Sequence, residues 1–231
     1  MITMTAHERT KKAVDAMQEN VREYMAMDVN SLDTCISKGN KKIGNTLNVS
    51  LPPVISCGNC SGCSLLCYDI KAVLQYGNVR KARARNYAIL LMDRKKYFDD
   101  IRKACKARKK NKYFRFHVAG DIPDIDYFDR MVKLAREFPE FKFWTYTKMY
   151  GIVNVWCRMY GKELIPENLS VMFSEWRGMK MTNPFNFPEF RVVFKDEQKP
   201  AGVKWCAGNC NTCIHNNSHC VKGETVYCME H

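Results

Sequence analysis

Between residues 113 and 174 short apolar runs alternate with amphipathic stretches, and this alternation leaves few folds open. Phe114-Arg115-Phe116-His117-Val118-Ala119 reads as a strand that ends at Gly120-Asp121. Pro123-Asp124 then opens a helix carrying Ile125, Phe128, Val132 and Ala135 on one stripe, and Pro139 ends it. Phe141–Thr147 is the next strand, and a helix near 151–160 leads to another, Leu169–Ser174. Two shorter strands flank these: Leu47–Leu51, stopped by Pro52-Pro53, and Phe190–Phe194. Helical patterns fill 8–27, 68–76, 78–92 and 94–110. Strands separated by helices form parallel βα units. The expected fold is α/β: a partial (β/α) barrel of five parallel strands.

The chain divides by composition into three expected parts. Residues 1–39 give an amphipathic helix and a polar loop, and 40–199 give the barrel-like core. From about 200 the apolar periodicity stops, and Gly, Asn, Cys and His dominate, so 200–231 reads as a small Cys-rich metal-binding module. At 231 residues the chain can bury a core without disulfides. Its twelve cysteines fall below the ~8–10 % of disulfide scaffolds. No apolar run reaches the ~20 residues of a membrane span, and the first residues lack the apolar stretch of a secretory signal. These features predict a cytoplasmic protein with reduced thiols, in which cysteines are read first as metal or redox ligands.

The cysteines are clustered. Cys57, Cys60, Cys63 and Cys67 form a C-x2-C-x2-C-x3-C run, and Cys206, Cys210 and Cys213 form C-x3-C-x2-C, with Cys220 the expected fourth member. Cys228, His215, His219 and His231 compete for that fourth place. Structural zinc usually draws on two C-x2-4-C knuckles well separated in sequence. The short serial spacing of the first group instead matches the iron–sulfur run of bacterial ferredoxins, except that Tyr68 stands where those carry Pro. The first group therefore favours a [4Fe–4S] cluster over zinc, and at the C-terminal group zinc stays a close alternative. Cys105 and Cys157 sit in helical patterns and read as small buried hydrophobes, while Cys35 has no clear place.

Each middle strand ends in polar side chains, and in parallel βα folds the ligand site gathers at the carboxyl ends of the strands. Asp121, Lys148 and Glu175 are the candidate catalytic residues on that ground, although each alone more often serves as a turn or surface charge. A second feature is electrostatic. Residues 80–115 hold fifteen Lys and Arg against three acids, nearly all of the chain's net charge of +13. Such a block attracts phosphate or simply forms a solvated helix face. Lys95, Lys96, Lys109 and Lys110 are its candidate nucleic-acid contacts; Tyr97 and Phe98 share an apolar face with Ile101 and Cys105 and read as core.

Two resemblances follow from these motifs. Gly44–Ser50, the Cys57–Cys67 run with Tyr68, Ala84-Arg85-Asn86, Phe116–Asp121, Tyr146-Thr147-Lys148 and the Cys-rich end resemble the phage gene product 88 family over residues 40–231. That resemblance implies a phage or mobile-element protein and little biochemistry. The architecture also resembles the radical S-adenosylmethionine core, whose three loop cysteines hold a [4Fe–4S] cluster with one open iron. That likeness implies S-adenosylmethionine as a cofactor bound near Ala119, Gly120 and Asp121, with Lys148 and Glu175 on the substrate side. The core has six strands and a C-x3-C-x2-C loop, whereas this chain offers five strands and four loop cysteines. The enzymatic expectation therefore requires one loop cysteine to stay off the cluster. A metal-stabilised nucleic-acid-binding protein and a two-cluster electron carrier are the alternatives.

Overall fold

A computed structural model describes residues 4–58, 60, 63–216 and 218–230. The chain starts with α1 (Ala6–Met25), whose first turn is closed by a capping box between Thr5 and Glu8. Strand β1 (Leu47–Val49) is followed by the Cys loop and by three consecutive helices, α2 (Tyr68–Gln75), α3 (Gly77–Met92) and α4 (Arg94–Ala107). Then come β2 (Tyr113–Phe116), α5 (Ile125–Glu137), β3 (Lys142–Thr147), α6 (Tyr150–Tyr160) and β4 (Leu169–Ser174). The chain finishes with β5 (Glu189–Val193), α7 (Cys210–Asn216) and β6 (Val226–Met229).

The six strands form one sheet in the order β1-β2-β3-β4-β5-β6, every neighbouring pair parallel. The sheet is a partial βα barrel, open between β1 and β6. The outer edge of β1 carries an isolated antiparallel bridge between Ser37 and Asn48. Parallel strands need long crossovers. Helices α2 to α4 serve β1–β2, α5 serves β2–β3 and α6 serves β3–β4.

The core lies between the sheet and these helices. Phe114 and Phe116 from β2 and Phe143 from β3 are all fully buried there with Phe141, Phe128, Met131 and Ile101. Alternation along β2 sends Phe114 and Phe116 to this layer and Tyr113 and Arg115 to the opposite, inner face. Two smaller clusters fasten α1 to the body: Ala13 and Met17 pack on Ile70 and Val73, and Val21 packs on Ala84 and Ala88. Tyr97, Phe98, Ile101, Cys105 and Cys157 are core residues, as their periodicity requires. Cys35 is half-buried, its backbone N–H donating to Asn86 Oδ1 at 2.6 Å. No described helix is long and apolar enough to cross a membrane.

Two differences from the sequence reading have physical causes. The strand expected to run to Ala119 stops at Phe116, because His117 adopts φ 54° and turns the backbone out of the ladder. A sixth strand exists, Val226–Met229, inside the segment expected to be a separate module. Its alternating Val226 and Cys228 are buried against the sheet, a pattern hidden by the surrounding Gly, Asn, His and Cys. A separate metal-binding module is not evident in the fold: the tail completes the sheet.

The left-handed turn at His117 seals its imidazole inside the core, with Nδ1 3.3 Å from Thr145 Oγ1 and Nε2 3.0 Å from Tyr127 Oη. Tyr127 Oη in turn meets Tyr97 Oη at 3.1 Å. Burial, aided by the nearby Arg115, holds the imidazole pKa down at about 3, against 6.5 ordinarily. The unfolded chain therefore takes up the proton first as pH falls. Stability is complete above about 6.5 and drains away as pH drops toward about 3, by several kcal/mol in order of magnitude. His117→Asn tolerates the left-handed backbone and removes the titrating ring. Unfolding free energies measured against pH are expected to show a shallower acid loss in this variant than in the parent. Parallel profiles would exclude His117 as the acid-sensitive group.

Candidate metal centre

The Cys loop is moored at the carboxyl ends of β1 and β2. Leu51 N donates to Ala119 O at 3.0 Å, and Ala119 N donates to Ser50 Oγ at 3.3 Å. A tight turn at 52–56 returns Ser56 N and Oγ to Pro52 O, at 3.1 and 2.8 Å. Gly120 lies directly beneath, with φ 81°. A Cβ there would come within 2.6 Å of Ser56 Oγ and 2.7 Å of Leu51 Cβ. Only glycine gives both the backbone angle and the room.

From this mooring Cys57, Cys60 and Cys63 converge. Its neighbours Cys57 and Cys63, with burial, push the Cys60 thiol up. Contact with Cys60 pulls the Cys63 thiol down to about 6, with burial opposing and the Lys148 ammonium assisting. Cys67 takes a different position. It is the N-cap of α2, and its sulfur faces the backbone N–H groups of Asp69 and Ile70 without making a regular cap bond. Burial raises the Cys67 thiol against those N–H groups. Of the four loop cysteines, Cys60 lies between Cys57 and Cys63, and Cys67 sits at the helix start within electrostatic reach of Cys57.

Asp121 closes the site from β2. Its Oδ1 accepts from Thr147 Oγ1 at 2.6 Å and Ile122 N at 2.7 Å, and its Oδ2 accepts from Lys148 N at 2.8 Å. Burial pushes this carboxyl up, and those donors hold it down. Asp121 thus ties the end of β2 to the end of β3 and fixes Lys148, whose Nζ lies 5.7 Å from the centre of the Trp176 ring. Glu175 is drawn elsewhere. Its carboxylate faces Arg191 Nε at 3.5 Å and lines a cavity of about 460 Å³ with Arg177, Arg191, Phe194, Glu197 and Tyr227. Cys57, Cys60, Cys63, Asp121 and Lys148 therefore gather at one end of the sheet, Cys67 sits beside them at the start of α2, and Glu175 stands outside.

The C-terminal cysteines lie across the inner face of the sheet. Cys206 N donates to Tyr227 O at 2.7 Å, anchoring the segment to β6. Cys210 N and Asn211 N both point to Lys42 O, at 2.9 and 3.4 Å, in the loop before β1. Cys220 is in hydrogen-bond contact with Tyr146 of β3. Burial pushes the Cys220 thiol up to about 12 and raises Cys210, with the neighbouring cysteines adding to both. Of the rival ligands, His215 is exposed, the His219 Nδ1 is paired with Glu224, and Cys228 is buried on β6. His231 lies outside the described residues. Among the described residues no three His, Cys, Asp or Glu side chains are arranged to hold a metal ion, so both thiol groups are gatherings and not closed coordination spheres.

Sequence reasoning passed over Arg115 and Tyr146. The signal was a lone cation between two phenylalanines in an otherwise apolar strand. The guanidinium stacks on Tyr146, 4.8 Å from the ring centre.

The basic block is largely spoken for. Lys95 pairs with Asp99 at 2.6 Å, Lys96 with Asp100 at 3.4 Å, and Arg102 with Glu137 at 2.6 Å. Arg94 binds Asp124 and Asp126, at 2.7 and 2.9 Å, and Arg83 binds the buried Asp69. Several of these acids lie outside the block in sequence, which is why its charge looked unopposed. Lys109 and Lys110 are exposed just beyond α4.

No curated protein and no solved structure gives a match to the chain. A family model described as gene product 88 does match, over residues 7–231, which is nearly the whole sequence including both Cys groups. The chain belongs to the gene product 88 family.

Proposed function

We propose that this protein is an iron–sulfur enzyme in which Cys57, Cys60 and Cys63 hold a [4Fe–4S] cluster with one iron open to S-adenosylmethionine. The observation that carries the reading is the gathering of these thiols at the carboxyl mouth of a parallel sheet, with Cys67 at the start of α2 facing the backbone N–H groups of Asp69 and Ile70. Four serial cysteines on one cluster would leave no open iron; three do. The donor set fits the group, since soft thiolates select iron–sulfur centres and the Lys148 ammonium beside Cys63 favours the thiolate form.

When bound, the cluster supplies the electron that cleaves the sulfonium bond of S-adenosylmethionine. The chain's own residues bind and orient. The Ala119 backbone holds the Cys loop, and Gly120 lets Ser56 and Leu51 of that loop pack directly on the β2 end. Asp121 accepts three hydrogen bonds and keeps spare lone pairs for a cofactor ammonium, while its main service is to fix Lys148. The cavity beside Glu175 is of a size suited to a small substrate, and its alternating Arg and Glu side chains suit a zwitterionic one.

The test is anaerobic isolation followed by iron and acid-labile sulfide analysis and a titration with S-adenosylmethionine. A brown protein with matched iron and sulfide that binds S-adenosylmethionine is expected. A colourless protein carrying zinc at Cys57–Cys63, or a loaded cluster indifferent to S-adenosylmethionine, overturns the enzymatic reading.

A further inference from the structure

The amino ends of β1, β2 and β3 gather cations from three segments distant in sequence. No acid occurs between Asp33 and Asp69 or between Asp100 and Asp121, the two stretches that contain β1 and β2. Residues 37–48 form a hairpin beyond the start of β1, closed by antiparallel bridges Ser37–Asn48 and Asn40–Gly44, with Lys41 and Lys42 at its tip. Asn40 Oδ1 accepts from Lys42 N and Ile43 N at 2.9 and 3.0 Å, and Cys210 N donates to Lys42 O at 2.9 Å, so the tip is fixed by its own turn and by the tail. Arg108, just after α4, binds Asn45 O and Oδ1 at 2.5 and 2.6 Å, which sets the segment carrying Lys109 and Lys110 beside the hairpin. Lys142 opens β3, its backbone N–H donating to Lys112 O at 2.9 Å. Lys41, Lys42, Lys109, Lys110 and Lys142 are exposed, and among the described residues none of them pairs with a carboxylate. The acid just before β3, Glu140, is taken by Lys112 at 3.0 Å.

We infer that this face is a docking surface for the phosphate backbone of double-stranded DNA. Like charges held together on exposed loops raise the local potential and attract a polyanion. The composition of the face selects among polyanions. It offers lysine, asparagine and glycine, and its aromatic neighbours are turned away: Phe141 and Trp144 are buried, and Tyr113 lies on the inner face of β2. Single strands are gripped by stacking bases on exposed aromatic rings. Acidic protein partners and lipid surfaces are held through exposed apolar anchors. The large exposed hydrophobic side chains of the described residues all lie elsewhere. Contact between ammonium groups and backbone phosphates needs neither feature and carries no sequence information. The hairpin is two chain segments wide, which suits the B-form major groove, about 12 Å across, and not the deep narrow groove of duplex RNA. This surface differs from the charge block read in the sequence: Lys95 and Lys96 of that block are ion-paired on α4, and Lys41, Lys42 and Lys142 come from outside it. It lies at the opposite end of the strands from the Cys57–Cys63 loop and does not rest on the iron–sulfur reading.

The test uses the full-length protein, isolated anaerobically, and the fluorescence anisotropy of a labelled mixed-sequence DNA duplex about two helical turns long. Binding at low salt is expected, with log Kd rising linearly with log salt. Lys41→Gln with Lys42→Gln, or Lys109→Gln with Lys110→Gln, should weaken binding by about tenfold or more at fixed salt and lower the salt slope by about two, one for each lost phosphate contact. Lys95→Gln with Lys96→Gln removes the same charge from α4 and should change neither the affinity nor the slope appreciably. Equal weakening by all three pairs assigns the affinity to net charge and overturns the surface. Absence of binding at low salt, or a slope that the substitutions on this face fail to lower, overturns it too. Thermal unfolding of each variant shows whether a loss reads the surface or the fold; if the hairpin pair does not fold, the Lys109 and Lys110 pair decides. The same titration with single-stranded DNA, an RNA duplex and phosphatidylserine vesicles tests the occupant. Weaker binding of all three supports duplex DNA, and equal or tighter binding of any one overturns that assignment. None of these outcomes bears on the Cys57–Cys63 centre, whose own test reads iron, sulfide and S-adenosylmethionine.

Discussion

Cys60→Ser is expected to empty the first centre, and Cys67→Ser to leave it loaded. Cys60 is flanked by Cys57 and Cys63, whereas Cys67 faces the first turn of α2. Serine removes the soft donor and keeps the size. Iron and sulfide per chain should fall to near background in Cys60→Ser, with loss of visible absorption. In Cys67→Ser both should stay near the parent value, and a serine at that N-cap favours the helix start. Spacing alone treats the four cysteines as equivalents, so the pair of variants separates the two arrangements. Equal loss in both would make Cys67 a fourth ligand and remove the open iron on which the S-adenosylmethionine reading rests.

Phe143→Ala is expected to be the most damaging core change. The ring is fully buried and lies within 6.0 Å of Phe114, Phe116 and Phe141, centre to centre. These rings join β2, β3 and the start of the β3 approach into one aromatic layer. Truncation removes the transfer energy of the ring and leaves a cavity the neighbours only partly fill, for about 3–5 kcal/mol. In a chain of this length that is roughly 6–20 °C in Tm. Phe143→Leu keeps more of the volume and should lose markedly less. Denaturant unfolding of both variants checks the order, and a loss below about 1 kcal/mol for the alanine would mean that the layer is not the centre of the core.

Much of the architecture was legible because it is written in periodicity. The run from Phe114 to Ser174 alternates strand and helix with clear stops at Gly120-Asp121 and Pro139, and the structure follows it within a few residues. His117 broke the reading, since a residue in a β-like run gives no warning that tertiary packing will force φ 54°. Val226–Met229 was missed for a compositional reason: two apolar positions among cysteines and histidines are too few to announce a strand. The polar strand ends were read as a collective, and Asp121 and Lys148 do meet. Glu175 does not join them, because its carboxylate faces Arg191 on the next strand, β5. Partners distant in sequence also explain the basic block. Glu137, Asp124 and Asp126 come from α5 and its entry to pair with α4, a fact that no local charge count contains.

The order in which the polypeptide leaves the ribosome gives the position of β6 a temporal meaning. Among the described strands β6 is the last in sequence and pairs with β5, and Trp205 bridges its Tyr227. Until those last residues emerge, the growing chain shows β5 as a bare ladder and Arg115 to water. Closing the sheet thus waits on contacts distant in sequence, which are slow to form. The thiols at 57–67 emerge well over a hundred residues earlier. Metal capture at the first centre can precede closure of the fold, and a prematurely terminated chain would carry its thiols without the cover that completes it.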